Sequence, residues 1–170
     1  PIISKPAENE RWLTVMDAAA YYNKLEILKF ISGRLKDKNP ALKTSNEFSK
    51  RTPLHHAAEQ GHFEIVTFIL DSQRGNETNP ADGNGITPAH LAAANDHIEI
   101  LKQVLSGTND KNPKVGEGMT PLHYAAAGLH SNICRLITTE IEDKNPVNDD
   151  GETPKKLWKD ASRNLVRELW

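Results

Sequence analysis

At 170 residues, with 37% hydrophobic and 26% charged side chains and a formal net charge of -2, the chain can bury a sizeable core as one domain or a short repeat array. Aromatic content of 6% and the lack of a concentrated basic stripe exclude a base-stacking or phosphate-tracking surface, so no nucleic-acid partner is expected. No apolar run is long enough to span a bilayer, no secretory leader is expected, and the single cysteine, Cys134, excludes an internal disulfide framework.

Charge is uneven along the chain. Residues 1–50 carry nine Lys/Arg against six Asp/Glu, while residues 51–118 carry five against nine. One cysteine fits a reducing setting, so an intracellular and cytoplasmic location is expected.

In chain order, the same punctuation returns at Thr14, Thr52, Thr87, Thr120 and Thr153, with spacings of 38, 35, 33 and 33. Except at Thr14, proline follows, and Thr-Pro reads as a helix start. The hydroxyl caps free amides, and proline sits where its missing N–H costs nothing. Paired alanines follow at Ala19-Ala20, Ala57-Ala58, Ala92-Ala93 and Ala125-Ala126, letting a short helix pack closely. Asn23, Gly61 and Asp96 then suit a left-handed backbone at a tight turn. Leu129 at the fourth such place does not; either strain is stored there or Gly128 takes the turn one residue early.

A second apolar helix comes next: LEILKFI from Leu25, FEIVTFIL from Phe63, IEILKQVL from Ile98 and SNICRLI from Ser131. Cys134 aligns with Leu28, Val66 and Leu101, as a buried core thiol would. KDKNP, ETNP, NDKNP and EDKNP then lead into polar, Gly-containing stretches that read as turns or hairpins. The copy from Thr153 replaces the paired alanines with Trp158 and Lys159, and its helices carry Lys155, Lys156, Lys159, Arg163 and Arg167. The copy from Thr14 has Asp17 where the others have His55, His90 and His123. Both ends read as polar caps of a stacked solenoid.

These residues, TPLH, the paired alanines, the GH turn and the loop glycine, recur in register and resemble the ankyrin repeat family. The resemblance implies one domain over 1–170, with repeats near 12–46, 47–84, 85–117, 118–150 and 151–170. It implies an all-α repeat solenoid: helix–turn–helix units with projecting β-hairpin fingers, stacked right-handed into a curved array with a concave face. It further implies a protein-binding scaffold with no shared catalytic residues and no cofactor. The chain departs from the family in having Lys38, Thr78, Lys111 and Lys144 before the loop asparagine, and Pro40, Pro80, Pro113 and Pro146 after it. Stiffer fingers with weaker strand pairing are expected, because proline removes an N–H. The extra residues of the first two repeats fall in LKTSNEFSKR between Leu42 and Arg51, and in DSQRGNE.

Six of the seven histidines fall at two repeating places: His55, His90 and His123, and His62, His97 and His130. Zinc needs ligands within about 2.3 Å of one point. Equivalent residues of stacked repeats lie about 10 Å apart by helix diameter, so no metal is expected. The resemblance gives these histidines a structural role instead. His56 with Glu59, or His90 with Asp96, lacks a positioned nucleophile, so no enzyme is expected either.

Recognition then belongs to positions that differ between copies. By resemblance these are Arg51, His56, Glu59 and Gln60; Asn84, Ile86, Leu91, Ala94 and Asn95; Glu117, Met119, Tyr124 and Ala127; and Asp149, Asp150 and Glu152. Ile86, Met119 and Tyr124 would form an apolar centre. For Tyr124 and Leu91 the competing reading is packing between first helices. The acidic end points to a basic segment of a protein or peptide bound by a monomer. The alternative is a structural or self-associating array that packs on further repeats or another domain, with Trp12, Trp158 and Trp170 near its ends.

Overall fold

The structure is a computed structural model that describes residues 15–33, 50–72 and 78–168. Thr14, Lys38, Pro40, residues 42–49 and 73–77 of the two inserts, and Trp12 and Trp170 lie outside them. Four helix pairs and one longer helix follow in order: α1 (Val15–Tyr21) with α2 (Leu25–Ser32), α3 (Pro53–Gln60) with α4 (Phe63–Ser72), α5 (Pro88–Ala94) with α6 (Ile98–Ser106), α7 (Pro121–Ala127) with α8 (Ser131–Glu140), and α9 (Pro154–Glu168). The first helices stack in a row, α1 on α3, α3 on α5, α5 on α7 and α7 on α9, while α1, α3, α5 and α7 each rest on their own second helix. The core is one continuous cluster running through the stack.

Local chemistry accounts for each unit. Thr52, Thr87 and Thr120 are extended N-caps before a proline, and each forms a capping box with the histidine three residues on. The paired alanines of the four pairs are buried, which is what lets neighbouring first helices approach. The turn between paired helices is left-handed at Asn23, Gly61, Asp96 and Leu129. In every pair the next amide closes back on the first alanine: Lys24 to Ala19, His62 to Ala57, His97 to Ala92 and His130 to Ala125, at 2.7–2.9 Å.

Leu129 therefore carries the turn itself, at φ 60°, while Gly128 keeps ordinary right-handed angles. A left-handed residue with a β-carbon costs about 1–2 kcal/mol, of which a glycine returns part as unfolded-chain entropy. Leu129→Gly is expected to stabilise the protein by about 0.5–1 kcal/mol in urea melts. Equal or lower stability would show that the half-buried leucine contributes more by contact than it costs in strain.

Two expectations need correcting. No β-strand exists among the described residues, so the described loops form no β-hairpin fingers. Each of the three described loops closes with a backbone bond, Asp82 N–H to Ile86 O, Val115 N–H to Met119 O, or Asn148 N–H to Glu152 O, over a tight turn. The reciprocal amide is taken by a side chain in two of them: Ile86 N–H donates to Asp82 Oδ1 at 2.9 Å and Glu152 N–H to Asn148 Oδ1 at 2.7 Å. The next rung outward would pair Pro80 with Pro88, Pro113 with Pro121, and Pro146 with Pro154. Neither member of such a rung has an N–H to give, so a ladder cannot propagate. The other correction concerns the last copy, where α9 is one unbroken helix of 15 residues rather than two. Ser162 occupies the turn register there, and nothing in it favours a left-handed break.

Candidate functional site

The histidines stitch the units together in both directions. His55 Nδ1 accepts the Thr52 amide at 3.1 Å, which places the ring proton on Nε2. That Nε2–H donates across to the Ile86 carbonyl, 3.0 Å away in the following loop. His90 does the same with Thr87 and Pro113, and His123 with Thr120 and Glu152. The other set reaches backward: Nε2 of His62, His97 and His130 lies 2.9–3.2 Å from the carbonyls of Tyr21, Glu59 and Ala94, at the ends of the preceding first helices. Burial holds His55 and His90 down at about 4, outweighing the carbonyl bonds that favour the charged ring. Burial lowers His123 as well. No group of His, Cys, Asp or Glu among the described residues could hold a metal.

The loops form a second set of links. Asp82 is buried; its Oδ1 takes the amides of Asn84 and Ile86, and its Oδ2 lies 3.3 Å from Arg51 Nε. Arg51 also grips both oxygens of Glu59, at 3.1 and 2.9 Å. Arg51 and Glu59, two of the recognition candidates, thus bridge one unit to the next loop. Asp149 N–H donates to Glu117 O at 2.9 Å, and Glu117 holds a positive φ of 63°. The asparagines before the prolines are used too. Asn79 Oδ1 accepts the Ala89 amide and Asn112 Oδ1 the Leu122 amide. Thr78 and Lys111, unusual at their places, donate to Val104 O and Leu105 O near the end of α6.

Sequence reasoning missed Asp82 and the paired asparagines as organising residues. The signal was present: Asn79 and Asn112 recur ten residues before the amides they bind.

The remaining candidates fall on the side bearing the loops and first helices. Gln60, Asn84, Asn95, Glu117, Ala127, Asp149 and Asp150 are exposed. Ile86, Ala94, Met119, Tyr124 and Glu152 are half-buried, whereas His56 and Leu91 are buried. His56 meets the edge of the Tyr21 ring. Met119 and Tyr124 stand just before the cap and four places after it on α7, where side chains face each other across a helix start; Ile86 and Leu91 repeat this on α5. The Tyr124 ring stands edge-on to His90 with centroids 5.6 Å apart. Burial, then Glu117 and Asp82, push its phenol up, so the hydroxyl stays a donor. Glu152 pairs with Lys156 at 3.0 Å, and the ammonium holds the carboxyl below its ordinary range.

A family model for ankyrin repeats in three copies matches residues 15–114, and one for a single ankyrin repeat matches residues 117–148. Among curated proteins, the chain is 34% identical over 65 residues to the phosphate system positive regulatory protein PHO81 of Saccharomyces cerevisiae. It is 30% identical over 105 residues to alpha-latrocrustotoxin-Lt1a of Latrodectus tredecimguttatus, and 41% over 59 residues to the ARF GTPase-activating protein Git of Drosophila melanogaster. These matches take in 38%, 62% and 35% of this chain but only 6%, 7% and 8% of the relatives, whose own lengths are far greater. With its Thr-Pro-x-x-His capping boxes, buried alanine pairs and left-handed turns explained unit by unit, the chain belongs to the ankyrin repeat family.

Proposed function

We propose that the chain captures a protein or peptide partner on the side formed by its loop turns and the outward residues of α3, α5 and α7. Ankyrin repeats are a non-catalytic scaffold that mediates protein–protein interactions, and that much follows from membership. The relatives support reuse of such a scaffold, since a phosphate-system regulator, a toxin and a GTPase-activating protein each match it over a small share of their length.

The observation that carries the choice of face is the half-buried pair Met119 and Tyr124, in a set of candidates of which Asn84, Asn95, Glu117 and Asp149 are exposed. A protected apolar centre with a polar rim is where interface energy concentrates, and tyrosine is a favoured anchor. The phenol, held protonated, offers a partner carbonyl or carboxylate one hydrogen bond. Glu117, Asp149 and Asp150 favour a basic partner segment, whose association would slow as salt is raised.

Affinity capture tests this reading. The Met119→Ala/Tyr124→Ala variant is expected to recover a defined partner at least about tenfold less well than the unaltered chain, with helix content retained. An unchanged set of captured proteins would remove this face from consideration.

One observation favours the second reading, an array that packs on itself or on another domain. Tyr22 and Ile27 are 63% and 49% exposed, and Phe63 is exposed as well. That reading predicts concentration-dependent sedimentation abolished by Ile27→Glu, whereas the leading one predicts a monomer at all concentrations.

A further inference from the structure

A cavity of about 380 Å³ lies between α7, α8 and α9. Its origin can be traced to three replacements. Where α6 has Leu101 and Leu105, both buried, α8 has the smaller Cys134 and Thr138 thirty-three residues later, and both line the cavity. The third change is in α9, where Trp158 stands at the first position of the missing alanine pair and forms another wall. Leu122 and Ala126 of α7 and Pro154 of α9 complete the apolar lining. The Thr138 hydroxyl is spent on its own helix, donating to the Cys134 carbonyl at 2.8 Å. Burial pushes the Cys134 thiol up, so it adds no charge to the wall.

Two cations line the same cavity, Lys144 from the loop after α8 and Lys155 from the first turn of α9. Both are exposed, and neither is ion-paired with a described residue, unlike the neighbouring Lys156, which is held by Glu152. The volume falls within the range of small-molecule sites, and the lining has their usual character, apolar walls with a few polar groups to fix orientation.

We propose that this cavity binds a medium-chain aliphatic carboxylate, the chain lying against Leu122, Cys134, Thr138 and Trp158 and the carboxylate facing Lys144 and Lys155. A neutral chain of the same length lacks the ionic partner, and a cationic one is repelled. Alkyl burial supplies the drive and the lysines the polarity of binding. The site is separate from the Met119–Tyr124 face and does not depend on it.

Calorimetric titration of the whole chain with decanoate, below its micelle threshold, tests the assignment. Saturable one-to-one binding is expected, with decanol at least tenfold weaker. Lys144→Ser/Lys155→Ser is expected to bring decanoate down to the level of decanol. Cys134→Leu/Thr138→Leu restores the side chains of the preceding unit, fills the space and is expected to abolish binding while melting no lower than the unaltered chain. Decanoate should also slow alkylation of Cys134 by iodoacetamide. No saturable binding, or undiminished binding to the filled variant, overturns the site; equal binding of decanol and decanoate overturns the carboxylate assignment.

Discussion

Acidification from pH 7.5 to about pH 5 is expected to remove about 4 kcal/mol of stability through His55 and His90 alone. Both are buried as neutral rings, with Nδ1 accepting a threonine amide and Nε2–H donating to the next loop. A proton on Nδ1 would lose that accepted bond and place a charge where water cannot reach it. Their folded values of about 4 lie below the ordinary 6.5, so between these limits the unfolded chain binds more protons than the folded one. Stability is therefore full above about pH 6.5 and falls as the pH drops toward 4, by about 2 kcal/mol per ring at pH 5. His123 acts in the same direction. Most carboxylates protonate below this window, which isolates the histidine effect. Against a total stability of about 5–15 kcal/mol, the loss is large. Urea melts at pH 7.5, 6 and 5 should show it, and His55→Gln/His90→Gln should be weaker at pH 7.5 but much flatter with pH. A flat profile for the unaltered chain would contradict the buried neutral tautomer.

Gly61→Ala is expected to destabilise by about 2–4 kcal/mol, far more than an exposed glycine substitution ordinarily would. Gly61 sits at φ 78°, and a β-carbon there would lie 2.6 Å from Cε1 of the His97 ring. That ring is the one whose Nε2 reaches back to the Glu59 carbonyl. The methyl group would thus strain its own turn and push out a link between adjacent units. The two costs can be separated by a double-mutant cycle. Gly61→Ala/His97→Ala should be more stable than the sum of the single changes by about 1–2 kcal/mol, because the clash has no partner. Strict additivity in guanidinium melts would show that only the backbone angle matters.

The apolar centre of the candidate surface was partly legible in sequence. Met119 and Tyr124 stood out as variable positions in an otherwise repeated frame, and the structure leaves both half-buried beside exposed polar neighbours. Arg51 and Glu59 looked equally available. Glu59 is held by Arg51, and Arg51 in turn reaches Asp82 in a loop 31 residues away, a pairing that no local pattern encodes. The expected hairpins failed for a reason written in the chain. Prolines fall at both members of each rung that would extend the ladder, but that pairing appears only once the turn register is known.

By itself the sequence determined the helix starts and, at Asn23, Gly61 and Asp96 but not at Leu129, the left-handed turns. Each of these closes within about five residues, so the capping threonine, the histidine and the turn residue suffice. Only the tertiary structure decided where the second nitrogen of every repeated histidine goes, what Asp82 holds, and that Cys134 and Thr138 border a cavity instead of a filled core. Those partners are brought together by stacking, 23 to 41 residues apart for the histidines, and the strength of each bond depends on burial that no single unit possesses.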